Sequence, residues 1–239
     1  MMKLDILAVC AHPDDAELGC GGTLALHSAM GHKTGVVDLT RGELGTRGTV
    51  ETRHAEATDA AKILGLSIRE NLQLKDGFFQ NDPEHQLKVI TAIRRFRPEI
   101  VLTNATYDRH IDHGKGASLT ADACFLSGLM KIETTWDGER QEAWRPKAVY
   151  HFIQSQFIEP DFIVDITTTW QQKIDAIRAF KTQFFDPNSK APETYISTPA
   201  FMQMVESRAI EQGHAIGVKY GEGFTVRRYP GVTSLFHLL

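Results

Sequence analysis

Cysteine is scarce in this 239-residue chain. Cys10, Cys20 and Cys124 form no C-x-x-C pair, and their number is odd. That argues against a disulfide framework and against a thiolate zinc knot, and Cys10 and Cys20 read as small buried residues. Excess charge is also lacking. Lys and Arg total 26 against 30 Asp and Glu, a formal net charge of −4, so no general affinity for nucleic acid or an anionic membrane is expected. No apolar run approaches the ~18 residues of a membrane span. Met1 to Cys10 lacks the charged n-region and small-residue cleavage site of a signal peptide. The expected setting is cytoplasmic, with reduced thiols. A P-loop and a G-x-S-x-G nucleophile elbow are absent as well.

The composition that remains is that of an ordinary globule, with 42% hydrophobic and 23% charged residues and ten histidines. The chain is read as one domain over 1–239. Strand-like and helix-like segments alternate through the first half. Strands are expected at Leu4–Cys10, Lys33–Thr40, Ser67–Leu72 and Glu99–Asn104. Between them lie a Gly-rich turn (Gly19, Gly21, Gly22), a helix over Thr23–Met30, and helices over Val50–Leu64 and Gln86–Phe96. This order predicts βαβ units: an α/β, Rossmann-like three-layer fold with a mostly parallel sheet and helices on both faces. Further on, helices are expected over Gly114–Met130, Thr167–Lys181 and Phe201–Gln212, and strands at Lys147–Gln154 and Phe162–Ile166. Thr134–Pro146 and Asp186–Thr198 read as loops, and a loop as long as the second is often functional.

Two clusters stand out. Ala11-His12-Pro13-Asp14-Asp15-Ala16-Glu17 follows the first strand, and Asp108-Arg109-His110-Ile111-Asp112-His113 follows the fourth. Taken alone, the first could be a solvated turn that caps a helix, and the second a polar loop. Both follow strands, however, and the carboxyl edge of a parallel sheet is where ligands bind. His12, Asp15 and His113 supply two imidazoles and a carboxylate, which suit a Zn²⁺ with an open fourth position, and Fe²⁺ accepts the same donors. Asp14 is then free to act as general base. His110 can serve the oxyanion or the leaving amine, with Asp112 orienting it.

Two rival readings meet the same residues. A nicotinamide dehydrogenase would use the Gly-rich turn and Asp38, about 20 residues on from it. The glycines miss the fingerprint, with Leu24 where the third is required, and Asp14, Asp15 and Glu17 would repel a pyrophosphate. A metal-dependent sugar- or carboxylate-binding module would keep His12, Asp15 and His113 but would not need Asp14 and His110 together.

AHPDDAELGCGGT followed by DRHIDHG resembles the LmbE/PIG-L family of metal-dependent N-acetylglucosaminyl deacetylases. TRGELGTRGTVETRHAEA, PETYIST and Tyr220-Gly221-Glu222-Gly223-Phe224 resemble its bacillithiol-biosynthesis branch, which acts on N-acetylglucosaminyl-malate. The resemblance runs from about Leu4 to Phe224. It implies metal ligands at His12, Asp15 and His113, a base at Asp14, and a second catalytic residue at His110 with Asp112 as its partner. It implies substrate contacts from Arg53 and Tyr195. Arg109 is matched to the malate carboxylates and Asp76 to sugar hydroxyls. The implied partner is a small GlcNAc conjugate, with diacetylchitobiose-like substrates as the alternative, and the implied assembly is a homo-oligomer, a trimer or hexamer.

Overall fold

A computed structural model describes residues 2–238. Strand β1 (Ile6–Cys10) is buried at every position, as expected of a central parallel strand with helices on both faces. β2 (Thr34–Thr40) is likewise buried throughout, and β3 (Ile68–Leu74) forms the edge beside it. β4 (Ile100–Thr103) lies on the other side of β1. Helices α1 (Asp15–Ala29), α2 (Val50–Leu64) and α3 (Pro83–Phe96) connect these strands. Thr49 caps α2 by accepting the Thr52 N–H, and Gly65 closes it at φ 70°. Asp82 caps α3, with Pro83 in the first turn, where its missing N–H costs nothing.

Helix α4 (Ile111–Leu126) is followed by a two-stranded hairpin, β5 (Thr135–Trp136) and β6 (Glu139–Arg140). Next come β7 (Ala148–Phe152), β8 (Phe162–Asp165), α5 (Trp170–Ala179), α6 (Pro199–Ala215) and β9 (Gly221–Val226). The main sheet runs β3-β2-β1-β4-β7-β9-β8. Pairings among β1, β2, β3, β4 and β7 are parallel, whereas β9 is antiparallel to both its neighbours. Leu7 and Val9 of β1 join a core with α3 and α4, while Ile6, Ala8 and Cys10 face α1. Helices thus cover both faces of a mostly parallel sheet, as the alternating pattern predicts. Among the described residues, no helix is long and apolar enough to cross a membrane. Cys10, Cys20 and Cys124 are all buried and free.

Three segments differ from the sequence expectation. The first helix starts at Asp15, so Gly19, Gly21 and Gly22 lie inside it and do not form a turn. Gly19 and Gly22 are there for close packing, whereas Gly21 has room for a side-chain carbon. A Cβ on Gly19 would run into the ring of Phe152, and one on Gly22 would lie 2.7 Å from Cδ1 of Ile166. The helix is broken at Cys20 (φ −144°, ψ 17°). Second, Gly221–Val226 is a strand inserted between β7 and β8. Its two glycines hide the strand pattern, because α6 and β8 press on Gly221: a Cβ there would meet Gly213 N at 2.9 Å and Ile163 Cγ2 at 2.6 Å. Third, the loop expected over Thr134–Pro146 holds the small hairpin.

The β1/β4 junction is where strand order reverses, since the chain builds outward from β1 to β3 and then crosses to β4. Open α/β sheets bind ligands at such a switch point. The tight seat of α1 has a measurable consequence. Gly19→Ala or Gly22→Ala forces the helix off the sheet and should cost about 1–3 kcal/mol, seen as a lower urea midpoint with an unchanged slope.

Candidate metal centre and active site

The two clusters meet at this switch point. His12, Asp14 and Asp15 come from the β1–α1 turn, and His110, Asp112 and His113 from the β4–α4 junction. They line one cavity of about 470 Å³, apart from Asp112, which is fully buried behind His12. The ring nitrogens of His12, His110 and His113 come within 4.8 Å of one another.

Asp15 is the hub. Its Oδ2 accepts the His12 backbone N–H and the Asn104 amide, both at 2.9 Å, and its Oδ1 accepts the Gln154 amide at 2.8 Å. The same carboxylate faces His12 Nδ1 at 3.6 Å and His113 Nε2 at 3.1 Å. Burial alone would raise its pKa, but His113 and His12 together hold the carboxyl well below its usual range.

The far nitrogen of each imidazole is also held. His12 Nε2 lies 3.1 Å from Asp76 Oδ1 and 3.4 Å from Asp112 Oδ2. His113 Nδ1 lies 2.6 Å from Asp108 Oδ2. Each ring therefore gives its proton to an outer carboxylate and turns its other nitrogen toward Asp15, as metal-ligating histidines do. Burial opposes protonation of these rings, yet the carboxylates prevail and raise His12 well above its usual value and His113 to about 9. The pocket is built to hold positive charge, and a divalent ion would supply it with the rings neutral. His12 and His113 both face Asp15, and the chemistry of this donor set suits a divalent metal, with His110 the third imidazole of the converging rings. His12, Asp76 and Asp112 form a second acidic grouping, but it sits on the outer nitrogen of the ring.

Asp14 points away from that set. It has a backbone φ of 116°, a region that side chains other than glycine rarely adopt and that concentrates at functional sites. Arg53 holds the turn by donating to the Pro13 carbonyl and, at 2.9 Å, to Asp14 Oδ2. Burial raises the Asp14 carboxyl to about 7, against the pull of Arg53.

His110 caps α4, and its Nδ1 accepts the Asp112 backbone N–H at 3.3 Å. The neutral ring therefore carries its proton on Nε2. Burial, then His12 and His113, lower its pKa. The Asp112 carboxylate does not orient His110 as the sequence reading expected. It accepts the Gly77 N–H at 2.7 Å and the Lys115 ammonium at 3.2 Å, and it faces His12. Helix geometry explains this, because residues two apart on a helix point in different directions.

Asp76, expected to contact sugar hydroxyls, lines the same cavity, with its oxygens facing His12 Nε2 and the Leu44 N–H. Arg109 and Tyr195 lie together on the cavity wall, the guanidinium 4.2 Å from the ring centroid. Arg53 lines the cavity as well as holding Asp14. Asp38, the ribose-binding acid of the dehydrogenase reading, is buried and held by Arg69, which also grips Glu17 at 2.5 Å.

Several residues escaped the sequence reading. Asp108 lies within the second cluster, and its spacing of five residues from His113 was the available signal. Asn104 and Gln154 are polar residues following buried strands, which marks them only after the sheet is known. Lys173, buried in the wall, carries no local signal, and Glu222 beside it was visible only within the Tyr220–Phe224 motif, with no role attached.

The fold and the site define an α/β protein with a buried histidine–carboxylate cluster, able to hold a metal ion, at the switch point of its sheet. Comparison with known proteins places it further. The family model "PIG-L: GlcNAc-PI de-N-acetylase" matches residues 7–124. Over the whole chain, the crystal structure of the conserved protein TT1542 from Thermus thermophilus superposes with a TM-score of 0.86 at 36% identity, covering 96% of this chain and 98% of that one. The chain belongs to the PIG-L (LmbE) family of deacetylases. Three curated relatives match along most of their length. Diacetylchitobiose deacetylase of Thermococcus kodakarensis is 27% identical, covering 95% of this chain and 84% of the relative. The 4-oxalmesaconate hydratase of Pseudomonas putida is 29% identical, covering 74% and 73%. The probable N-acetyl-alpha-D-glucosaminyl L-malate deacetylase 2 of Bacillus subtilis is 25% identical, covering 76% and 84%.

Asp108 gives a direct check on the centre. Asp108→Asn should weaken zinc binding about 10- to 100-fold, measured by calorimetric titration of the metal-stripped protein, while the far-UV spectrum stays native.

Proposed function

We propose that this chain is a zinc-dependent amidohydrolase that removes acetate from an N-acetylglucosamine conjugate, N-acetylglucosaminyl-malate in particular. The observation that carries the reading is Asp14, a buried carboxylate fixed by Arg53 beside the His12–Asp15–His113 set and lining the same cavity as His110. When bound, zinc (or iron in its place) polarises the acetamide carbonyl and activates water. Asp14 accepts the proton of the attacking water as its oxygen bonds to the carbonyl carbon. The C–N bond then breaks, and that proton passes to the leaving amine. His110 Nε2 donates a hydrogen bond to the oxygen that gains charge. Tyr195 closes over the same oxygen from its loop. Arg53, besides holding Asp14, reaches the sugar.

Malate is supported by the motif resemblance, by the name of the Bacillus relative and by Arg109, whose planar fork suits a carboxylate. The Thermococcus relative favours diacetylchitobiose as a second substrate. The Pseudomonas relative favours a different reaction, addition of water to a carbon–carbon double bond, for which the same metal and base would serve. We read the enzyme as cytoplasmic and homo-oligomeric, acting on a small molecule and on neither nucleic acid nor membrane.

The deciding assay measures acetate and primary amine released from GlcNAc-malate, free GlcNAc and diacetylchitobiose, with metal removed by chelation and then restored. Release should be lost on chelation, return with zinc, and be fastest with GlcNAc-malate. No amine from any of the three would overturn the deacetylase reading in favour of hydration or simple binding. Asp14→Ala should lower kcat about 10²- to 10⁴-fold at nearly full metal content; loss of metal would make Asp14 a ligand. His110→Ala should lower kcat about 10²- to 10³-fold and move KM little. Arg109→Ala should raise KM for GlcNAc-malate and spare diacetylchitobiose.

A further inference from the structure

The break at Cys20 creates a second helix start inside the protein. Residues after Cys20 resume the helix, so the N–H groups of Gly22 and Thr23 occupy its first turn, where a helix leaves donors unsatisfied. Glu222 of β9 reaches both: Oε1 accepts Gly22 N–H at 2.9 Å, and Oε2 accepts Thr23 N–H at 2.7 Å. On the other side of the break, the Leu18 carbonyl, which would serve Gly22 in an unbroken helix, accepts the Lys173 ammonium of α5 at 2.8 Å. Lys173 and Glu222 are themselves paired at 2.6 Å, and both are 3% exposed. The ion pair is thus inserted into α1 as a wedge. Both residues also line the cavity.

The short segment ahead of the wedge begins with Asp14 and Asp15. It is held from the other direction by Arg69 on Glu17. We infer that Lys173 and Glu222 are positioning residues: by holding the break in α1 open they set the angle at which its first turn presents Asp15 to the metal and Asp14 to the substrate. Neither touches the reacting atoms. A buried ion pair is a weak source of stability compared with apolar residues of similar size, so its retention at a helix break fits a role in geometry.

The inference rests on the metal reading above, and its test is chosen to separate the two. Zinc affinity is measured without substrate, by competition with a chromophoric chelator, for the intact protein, Glu222→Asp, Glu222→Gln and K173M/E222Q, alongside far-UV circular dichroism. Glu222→Asp keeps the charge and draws the wedge back by one methylene, so it decides the question if the others fail to fold. Arg94→Met is the control, since Arg94 is an equally buried cation that holds loop carbonyls away from the cavity. Folded Glu222 variants should bind zinc about 10- to 100-fold more weakly, with kcat reduced and KM within about twofold, while the control binds as the intact protein does. Folded variants with unchanged zinc affinity would overturn the inference, as would an equal loss in Arg94→Met. An intact protein that fails to bind zinc defeats the metal reading itself. One that binds zinc but releases no amine overturns the deacetylase reading and leaves the metal reading, with this inference, standing.

Discussion

The structure depends on a single carboxylate. Asp15 is buried, ionised and surrounded by donors from β1, β4 and the end of β7, and it faces two imidazoles that reach it from different turns. Removing a charge from water is costly unless its partners are in place, so this residue fixes the relative placement of three strand ends. His12 and His113 cannot drift without leaving the carboxylate short of partners. The outer carboxylates Asp76, Asp112 and Asp108 extend the constraint outward to the loops after β2 and β3 and to the start of α4.

A second buried network works on the same helix. Arg69 from β3 joins Glu17 of α1 to Asp38 of β2, and Arg53 from α2 joins the backbone of Pro13 to the side chain of Asp14. The turn that carries Asp14 and the first turn of α1 are therefore braced by two guanidinium groups, one from the edge strand β3 and one from helix α2. Planar, permanently charged forks suit this task better than ammonium groups, because each can satisfy two acceptors at once.

The sheet was legible in the sequence because its central strands are uninterrupted apolar runs, and the centre was legible because two such runs end in His–Asp clusters. Spacing alone brought His12, Asp14, Asp15, His110 and His113 under consideration. What spacing could not show was direction. Asp112 is two residues from His110, yet its carboxylate serves His12. Asp76 lies far from His12 in the chain but touches it. The glycines of α1 read as a turn because a close helix–sheet contact and a loop favour the same residue. Glu222 was visible only as part of a motif, since its partners, Gly22, Thr23 and Lys173, come from segments about 50 to 200 positions away.

Asp14 carries a cost of its own. At φ 116° glycine would sit more comfortably, and any other side chain is held there against its preference by the surrounding contacts. If Asp14 is the base proposed above, the best residue for folding at this position and the best residue for chemistry are different. On the reading proposed above, a relaxed turn would favour stability and the aspartate favours turnover. A chain of this fold with glycine at the equivalent position would be a candidate for a binding protein descended from an enzyme.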